Sequence, residues 1–84
     1  MPEEESCPLM EAYILVSVRL GELWKVAEEV RKIPGIKKAS AVAGRFDVVA
    51  HAEAANISWV IARIHGIKGV VKTESLITLE ARFE

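Results

Sequence analysis

A short pattern that occurs twice constrains the fold of this chain more than any other feature. Residues 33–37 read IPGIK and residues 64–68 read IHGIK, and each follows a segment whose apolar residues recur at helical spacing. Proline and glycine at such a point end a helix, and the apolar residues after them are typical of a strand. The chain therefore uses a helix, a turn and a strand twice.

Both predicted helices bury one apolar stripe. The first begins after Gly21 and ends at Pro34, and the second begins at Asn56, a good N-cap. The stripes consist of Leu23, Val26, Ala27, Val30 and Ile33 in the first helix and Ile57, Val60, Ile61 and Ile64 in the second. We expect Trp24 to pack at the edge of the first stripe. Trp59 points away from the second stripe, toward solvent or another chain.

Four segments alternate between apolar and polar residues as strands do, and they span residues 11–20, 36–43, 45–53 and 70–83. In the first strand, the face expected to meet the helices consists of Ile14, Val16, Val18 and Leu20. A tight turn at Gly44 is expected to join the second and third strands into a central hairpin. The fourth strand is longer than average, so we expect its end to pair with another subunit.

The order strand, helix, strand, strand, helix, strand is that of the split βαβ arrangement. It predicts an α+β, ferredoxin-like domain in which a four-stranded antiparallel sheet carries both helices on one face. We expect residues 11–84 to form this domain. Residues 1–10 contain three consecutive glutamates between two prolines, a composition that predicts a disordered tail.

The other face of this sheet has no predicted cover within the chain. Its side chains are Tyr13, Leu15, Ser17, Val49 and Leu76. An apolar face of this kind favours a two-fold homodimer in which two sheets stack face to face, because a small domain leaves much of its surface unburied. These five residues are therefore the predicted dimer interface.

Composition argues against several classes of function. The net charge of −1 over 84 residues provides no general attraction to nucleic acids or acidic membranes. Cys7 is the single cysteine, so the sequence predicts neither a disulfide framework nor a cysteine-rich metal site. No apolar run is long enough to span a membrane and no secretory signal is recognisable. We expect a cytoplasmic protein without metal, cofactor or membrane contact.

Three motifs, read in order, carry a resemblance to a known family. They are IPGI at residues 33–36, VAGRFDV at 42–48 and GVVKTESLI at 69–77. Their order and spacing resemble the amino-acid-sensing effector (RAM) domain of the Lrp/AsnC transcription regulators. The resemblance implies a ferredoxin-like protomer, dimers with stacked sheets, rings of dimers, and an amino acid bound between dimers. It also implies that the residues in contact with the ligand are Gly44, Arg45, Phe46, Asp47, Thr73 and Ser75.

The full-length members of that family carry a helix-turn-helix before this domain, and ten tail residues cannot encode one. The chain thus resembles the stand-alone effector domains, and we expect no direct DNA binding. The expected partners are a small effector, further copies of the chain, and full-length Lrp/AsnC regulators through mixed assembly.

The chemistry of the hairpin fits an amino acid, because Arg45 can bind a carboxylate and Asp47 can accept hydrogen bonds from an ammonium. Two simpler roles stay open at this stage. Asp47 can tie down the turn through the backbone, and the two side chains can form only an exposed ion pair.

An enzyme of the dimeric ferredoxin-like barrel type is the main alternative. In favour of an enzyme, Asp47 and His51 are expected on the same open face of the sheet. Against it, four residues of strand separate them by roughly 13 Å, which is too far for a hydrogen-bonded acid/base pair. No catalytic residues are therefore predicted, and His65 is expected to end the second helix rather than bind a ligand. An RNA-binding sheet is disfavoured, because Phe46 is assigned to the helix side and Tyr13 alone is left as an open-face aromatic.

Overall fold

The structure is a computed structural model that describes residues 9–79. Its elements are β1 (Met10–Val18), α1 (Leu23–Arg31), β2 (Ile36–Ala41), β3 (Val48–Ala54), α2 (Ile57–His65) and β4 (Val70–Ile77). The strands form one antiparallel sheet in the order β2-β3-β1-β4. The predicted ferredoxin-like α+β fold is confirmed.

Strand alternation places the core on one face of the two central strands. The inward residues of these strands are fully buried, and they are Ala12, Ile14 and Val16 in β1 and Val48, Ala50 and Ala52 in β3. Both helices cover this face with the predicted stripes, of which Val26, Ala27, Val30, Val60 and Ile64 have no exposed surface. The side chain of Asn56 accepts a hydrogen bond from the Trp59 amide at 3.0 Å, which confirms the N-cap.

Glycine is required at the turns that lead into β2 and β4. Gly35 has φ +101° and Gly69 has φ +106°, values that favour glycine. A Cβ atom on Gly69 would lie 3.0 Å from the Glu22 Cβ. Gly66, which matches Gly35 in the repeated pattern, has φ −78° instead. The repeat therefore reuses the order of elements, while the glycine with a positive φ stands three residues later in its second copy.

The connection between β2 and β3 differs from the predicted tight turn. β2 ends at Ala41 and β3 begins at Val48, so residues 42–47 form an open loop. The Val42 amide donates to the Asp47 carbonyl at 2.8 Å and closes the base of this loop. Phe46 and Asp47 thus precede the strand, and their predicted places on its two faces were wrong.

Two apolar residues near the start of α1 are exposed, contrary to prediction. β1 ends at Val18, and the chain turns away through Gly21, which leaves Leu20 99% exposed. Trp24 lies on the outer side of α1 and is 71% exposed rather than packed at the core edge. β4 ends at Ile77, short of the predicted limit; residues 80–84, like residues 1–8 of the predicted tail, lie outside the described residues.

Candidate functional site

The open face of the sheet brings the predicted interface residues together. Cross-strand pairing sets Tyr13 opposite both His51 and Leu76, and Leu15 opposite Val49. Tyr13 is 41% exposed and Leu76 52% exposed. Ser17 follows on the same face of β1, as strand alternation requires. The shared face is thus confirmed, whereas its role in a dimer stays a prediction.

A polar cluster on this face was missed by sequence reasoning. His51 Nε2 lies 2.6 Å from Glu11 Oε2, and the two side chains are 30% and 28% exposed. The His51 ring stacks on Tyr13 with centroids 4.9 Å apart and planes inclined by 20°. This short contact orients the imidazole. Strand alternation could have indicated this cluster, because Glu11 precedes Tyr13 by two residues and therefore lies on the same face of β1.

The loop of residues 42–47 carries the predicted hairpin site. Gly44 lies at its tip, where an added Cβ atom would meet no heavy atom within 4 Å, and Arg45 beside it is exposed. Phe46 is half-buried. Asp47 Oδ2 accepts a hydrogen bond from the Val18 amide at 2.8 Å, and the Asp47 amide donates to the Val16 carbonyl at 2.9 Å. Asp47 therefore anchors the loop to β1, and no ion pair joins it to Arg45 in the described structure.

Thr73 and Ser75 lie on the helix side of β4, away from the open face. Thr73 pairs with Val16 and Ser75 with Ile14, both of which face the helices. Thr73 Oγ1 lies 2.9 Å from Nε2 of His65, the last residue of α2. His65 ends the helix as predicted, and it also orients this hydroxyl.

The six predicted ligand residues thus form two groups within one protomer. Asp47 and Thr73 contact Val16 from its two sides in the sheet, so two strand spacings, roughly 10 Å, separate their backbones. Across residues 9–79, no three His, Cys, Asp or Glu side chains converge as metal ligands. In the same range, neither helix has the length and apolar character needed to cross a bilayer.

The comparisons with known proteins agree with the fold of the described residues. A family model, described as the Lrp/AsnC ligand binding domain, matches residues 11–84. No curated protein sequence gives a significant match. Among solved structures, TTHA0845 from Thermus thermophilus is similar with a TM-score of 0.82 at 23% identity, over 89% of this chain and 99% of that chain.

Two longer relatives share the fold as well. AsnC of E. coli has a TM-score of 0.81 at 15% identity, over 100% of this chain and 59% of AsnC. The transcriptional regulator NMB0573 from Neisseria meningitidis, solved as a complex with L-methionine, has a TM-score of 0.77 at 23% identity, over 100% of this chain and 58% of NMB0573. The present chain therefore spans less than two thirds of either regulator. Because the family model matches most of its length, the chain belongs to the family of Lrp/AsnC ligand binding domains.

Proposed function

We propose that this chain is a non-enzymatic module of transcription regulation that binds a free amino acid, or a similar small zwitterion, and assembles with copies of itself in the cytoplasm. The observation that carries the proposal is the loop of residues 42–47. There, an exposed guanidinium and a carboxylate lie on either side of Phe46, next to a glycine with open space around it. The complex of NMB0573 with L-methionine supports an amino acid as the ligand class.

The proposed site lies between subunits. Within one protomer, Thr73 and Ser75 face the helix side, while Asp47 is bound to the backbone at the opposite edge of β1. Their separation and different directions favour a site in which one subunit supplies the loop and another supplies the two hydroxyls. Arg45 and the Gly44 backbone would bind the ligand carboxylate, and the free oxygen of Asp47 would accept from its ammonium.

Assembly is part of the proposal. Tyr13, Leu15, Ser17, Val49 and Leu76 form a sheet face that no element of the described chain covers, and stacking with a second copy would bury it. We further propose that such dimers form larger assemblies and co-assemble with full-length Lrp/AsnC regulators. In this scheme the chain itself makes no direct contact with DNA.

A thermal-denaturation screen of the twenty amino acids tests ligand binding. A ligand at 100 times its dissociation constant stabilises the folded form by about 2.7 kcal/mol, which a scan of a small domain resolves easily. Asp47→Asn keeps an oxygen for the Val18 amide but removes the charge, and Arg45→Ala removes the cation. Both variants should lose the shift, whereas Glu28→Gln, on the exposed side of α1, should keep it. The proposal fails if no amino acid raises the midpoint, or if Asp47→Asn binds as tightly as the parent.

An enzyme of the dimeric ferredoxin-like barrel type is the second candidate. The observation that favours it is the 2.6 Å contact between His51 and Glu11, because a carboxylate can orient an imidazole for proton transfer. Turnover of a small-molecule substrate that disappears in His51→Ala and survives in His65→Ala would establish this reading. Equal turnover in both variants would refute it.

A further inference from the structure

A single contact joins the end of α2 to the strand that carries the two predicted ligand hydroxyls. His65 Nε2 lies 2.9 Å from Thr73 Oγ1. Ser75 follows Thr73 by two residues and therefore lies on the same side of β4. The imidazole of His65 is thus one hydrogen bond away from a group that is expected to contact the effector.

The proton of this contact has a preferred position. Thr73 is half-buried, and within residues 9–79 its hydroxyl has no other hydrogen-bond partner. His65 is exposed, so water can accept a hydrogen bond from its second ring nitrogen, Nδ1. Both groups are satisfied when Nδ1 carries the proton of the neutral imidazole and Nε2 accepts from the Thr73 hydroxyl. In this arrangement Thr73 Oγ1 presents only lone pairs to a ligand, so it accepts hydrogen bonds and cannot donate them.

Protonation of His65 reverses the polarity of the Thr73 hydroxyl. An imidazolium has a proton on both ring nitrogens, so Nε2 then donates to Thr73 Oγ1. The hydroxyl proton is released from the imidazole and can donate to a ligand carboxylate instead. A positive charge also appears beside the hydroxyl. Histidine is the side chain that ordinarily makes such a change between pH 5 and pH 8.

The charged side chains of β4 and of the last turn of α2 face away from this contact. Lys72 and Glu74 alternate with Thr73 along β4, so they lie on its open face. Arg63 and Lys68 line the groove between α1 and α2. The Arg63 guanidinium lies over the Trp59 ring, 5.0 Å from its centroid. None of these charges among the described residues therefore contacts the Thr73 hydroxyl.

The other neighbours of His65 are uncharged, or carry charges that offset each other. Helical spacing places Ser58 and Ile61 on the same flank of α2 as His65. The helix side of β1, the strand next to β4, is apolar and buried. At the start of β4, Arg19 and Glu22 lie beside Gly69 with opposite charges. His65 is thus the titratable group that contacts Thr73 in the described structure.

We propose that His65 is a positioning residue of the effector site, which makes the Thr73 hydroxyl accept a hydrogen bond from the ammonium group of the bound amino acid. This inference rests on the proposed function, in which one subunit supplies the loop of residues 42–47 and another supplies Thr73. Asp47 and Thr73 then accept from the same ammonium. Acidification turns Thr73 into a donor and adds a positive charge beside it, so the affinity for the effector falls as His65 gains a proton.

The tautomer of His65 tests the inference without a ligand. Nitrogen-15 NMR of the full chain at pH 8 distinguishes a proton on Nδ1 from a proton on Nε2. We expect Nδ1–H for His65, and Thr73→Val, which has a similar shape and no hydroxyl, should remove that preference. His51 is the internal control, because its Nε2 must carry a proton to donate to the Glu11 carboxylate 2.6 Å away. A neutral His65 that is protonated mainly on Nε2 overturns the proposal.

The pH dependence of binding tests the effect on the effector. Calorimetry at pH 7.5 and pH 5.5 uses L-methionine or, if that is inactive, the amino acid with the largest midpoint shift in the screen. The parent should bind about tenfold more weakly at pH 5.5. His65→Gln keeps a carbonyl that can accept from Thr73 but does not titrate, so it should bind as the parent does at pH 7.5 and lose most of the pH effect. His51→Gln, the matched control, should keep the parent's ratio.

The outcomes separate this role from the proposed function. An amino acid that binds with the same pH ratio to the parent and to His65→Gln refutes the role of His65 and leaves the effector site standing. Loss of the pH effect in His51→Gln alone assigns the titration to the open face and refutes it as well. If no amino acid binds the parent at either pH, the proposed function fails and the role of His65 fails with it, whatever the tautomer.

Discussion

Asp47 and Val18, separated by most of the first half of the domain in sequence, are joined by a hydrogen bond from the Val18 amide to Asp47 Oδ2 at 2.8 Å. The pairing of β1 with β3 ends at Val16 and Val48. The carboxylate of Asp47 therefore gives the amide of Val18, the last residue of β1, an acceptor beyond the end of that pairing. It also determines where the loop of residues 42–47 ends and β3 begins. The acidic residue expected to bind a ligand is thus also part of the scaffold that presents the loop.

Removal of the Asp47 carboxylate should destabilise the fold. Asp47→Ala leaves the half-buried Val18 amide without its acceptor, and we expect a loss of about 1–2 kcal/mol in the free energy of unfolding. Asp47→Asn retains an acceptor and should cost less. Urea denaturation of the three proteins measures this difference. If Ala and Asn at this position are equally stable, the hydrogen bond to Val18 contributes nothing measurable.

A charge on the open face should disrupt the proposed dimer. Leu15→Glu places a carboxylate at the centre of the stacked sheets without a partner, which disfavours association. Leu20→Glu is the matched control, because Leu20 is 99% exposed in the turn after β1. Sedimentation velocity at micromolar concentration should show a dimer or larger species for the parent and Leu20→Glu, and a smaller species for Leu15→Glu. A monomeric parent would disprove stacking at the outset.

Two glycines of the last turn should respond differently to alanine. Gly69→Ala forces a side chain into φ +106°, with its Cβ 3.0 Å from Glu22 Cβ and 3.1 Å from Val26 Cγ2. A cost of about 1–3 kcal/mol is expected from such strain. Gly66→Ala meets nothing closer than 3.5 Å at a helical φ and should be nearly neutral. Thermal midpoints of both variants test the contrast, and a Gly69→Ala midpoint equal to that of Gly66→Ala would contradict it.

The chain alone should not recognise a DNA sequence. The net charge is −1, and neither described helix belongs to a helix-turn-helix pair. Gel-shift assays at physiological salt should therefore show no sequence-dependent complex. Nanomolar binding that depends on base sequence would contradict this expectation.

Burial explains which features could be predicted from sequence. Residues such as Ile14, Val16, Val26 and Val60 repeat with the period of their element because one face of each strand or helix contacts the core. Trp24 is an exception. Helical spacing places it beside the apolar stripe, but the tertiary structure leaves it exposed. Bulk and aromatic character alone do not imply burial.

Long-range pairing explains what the sequence could not reveal. The conformation of the loop of residues 42–47 depends on the contact of Asp47 with β1. The residues around Gly44 alone predicted only a tight turn. Likewise, Glu11 and His51 meet because β1 and β3 pair in one register. Sequence alternation places each on a face without stating which residue stands beside it.

The positions of the two tryptophans separate two kinds of assembly spectroscopically. Trp24 is on the outer side of α1, and Trp59 is on α2 with the Arg63 guanidinium 5.0 Å from its ring centroid. Both indoles therefore lie on the helix layer, whereas Tyr13 lies on the open sheet face. Contacts made through the helices should change the tryptophan emission. Stacking of two sheets should leave that emission unaltered while it shields the tyrosine from a dissolved quencher, so one fluorimeter can tell which face a partner has occupied.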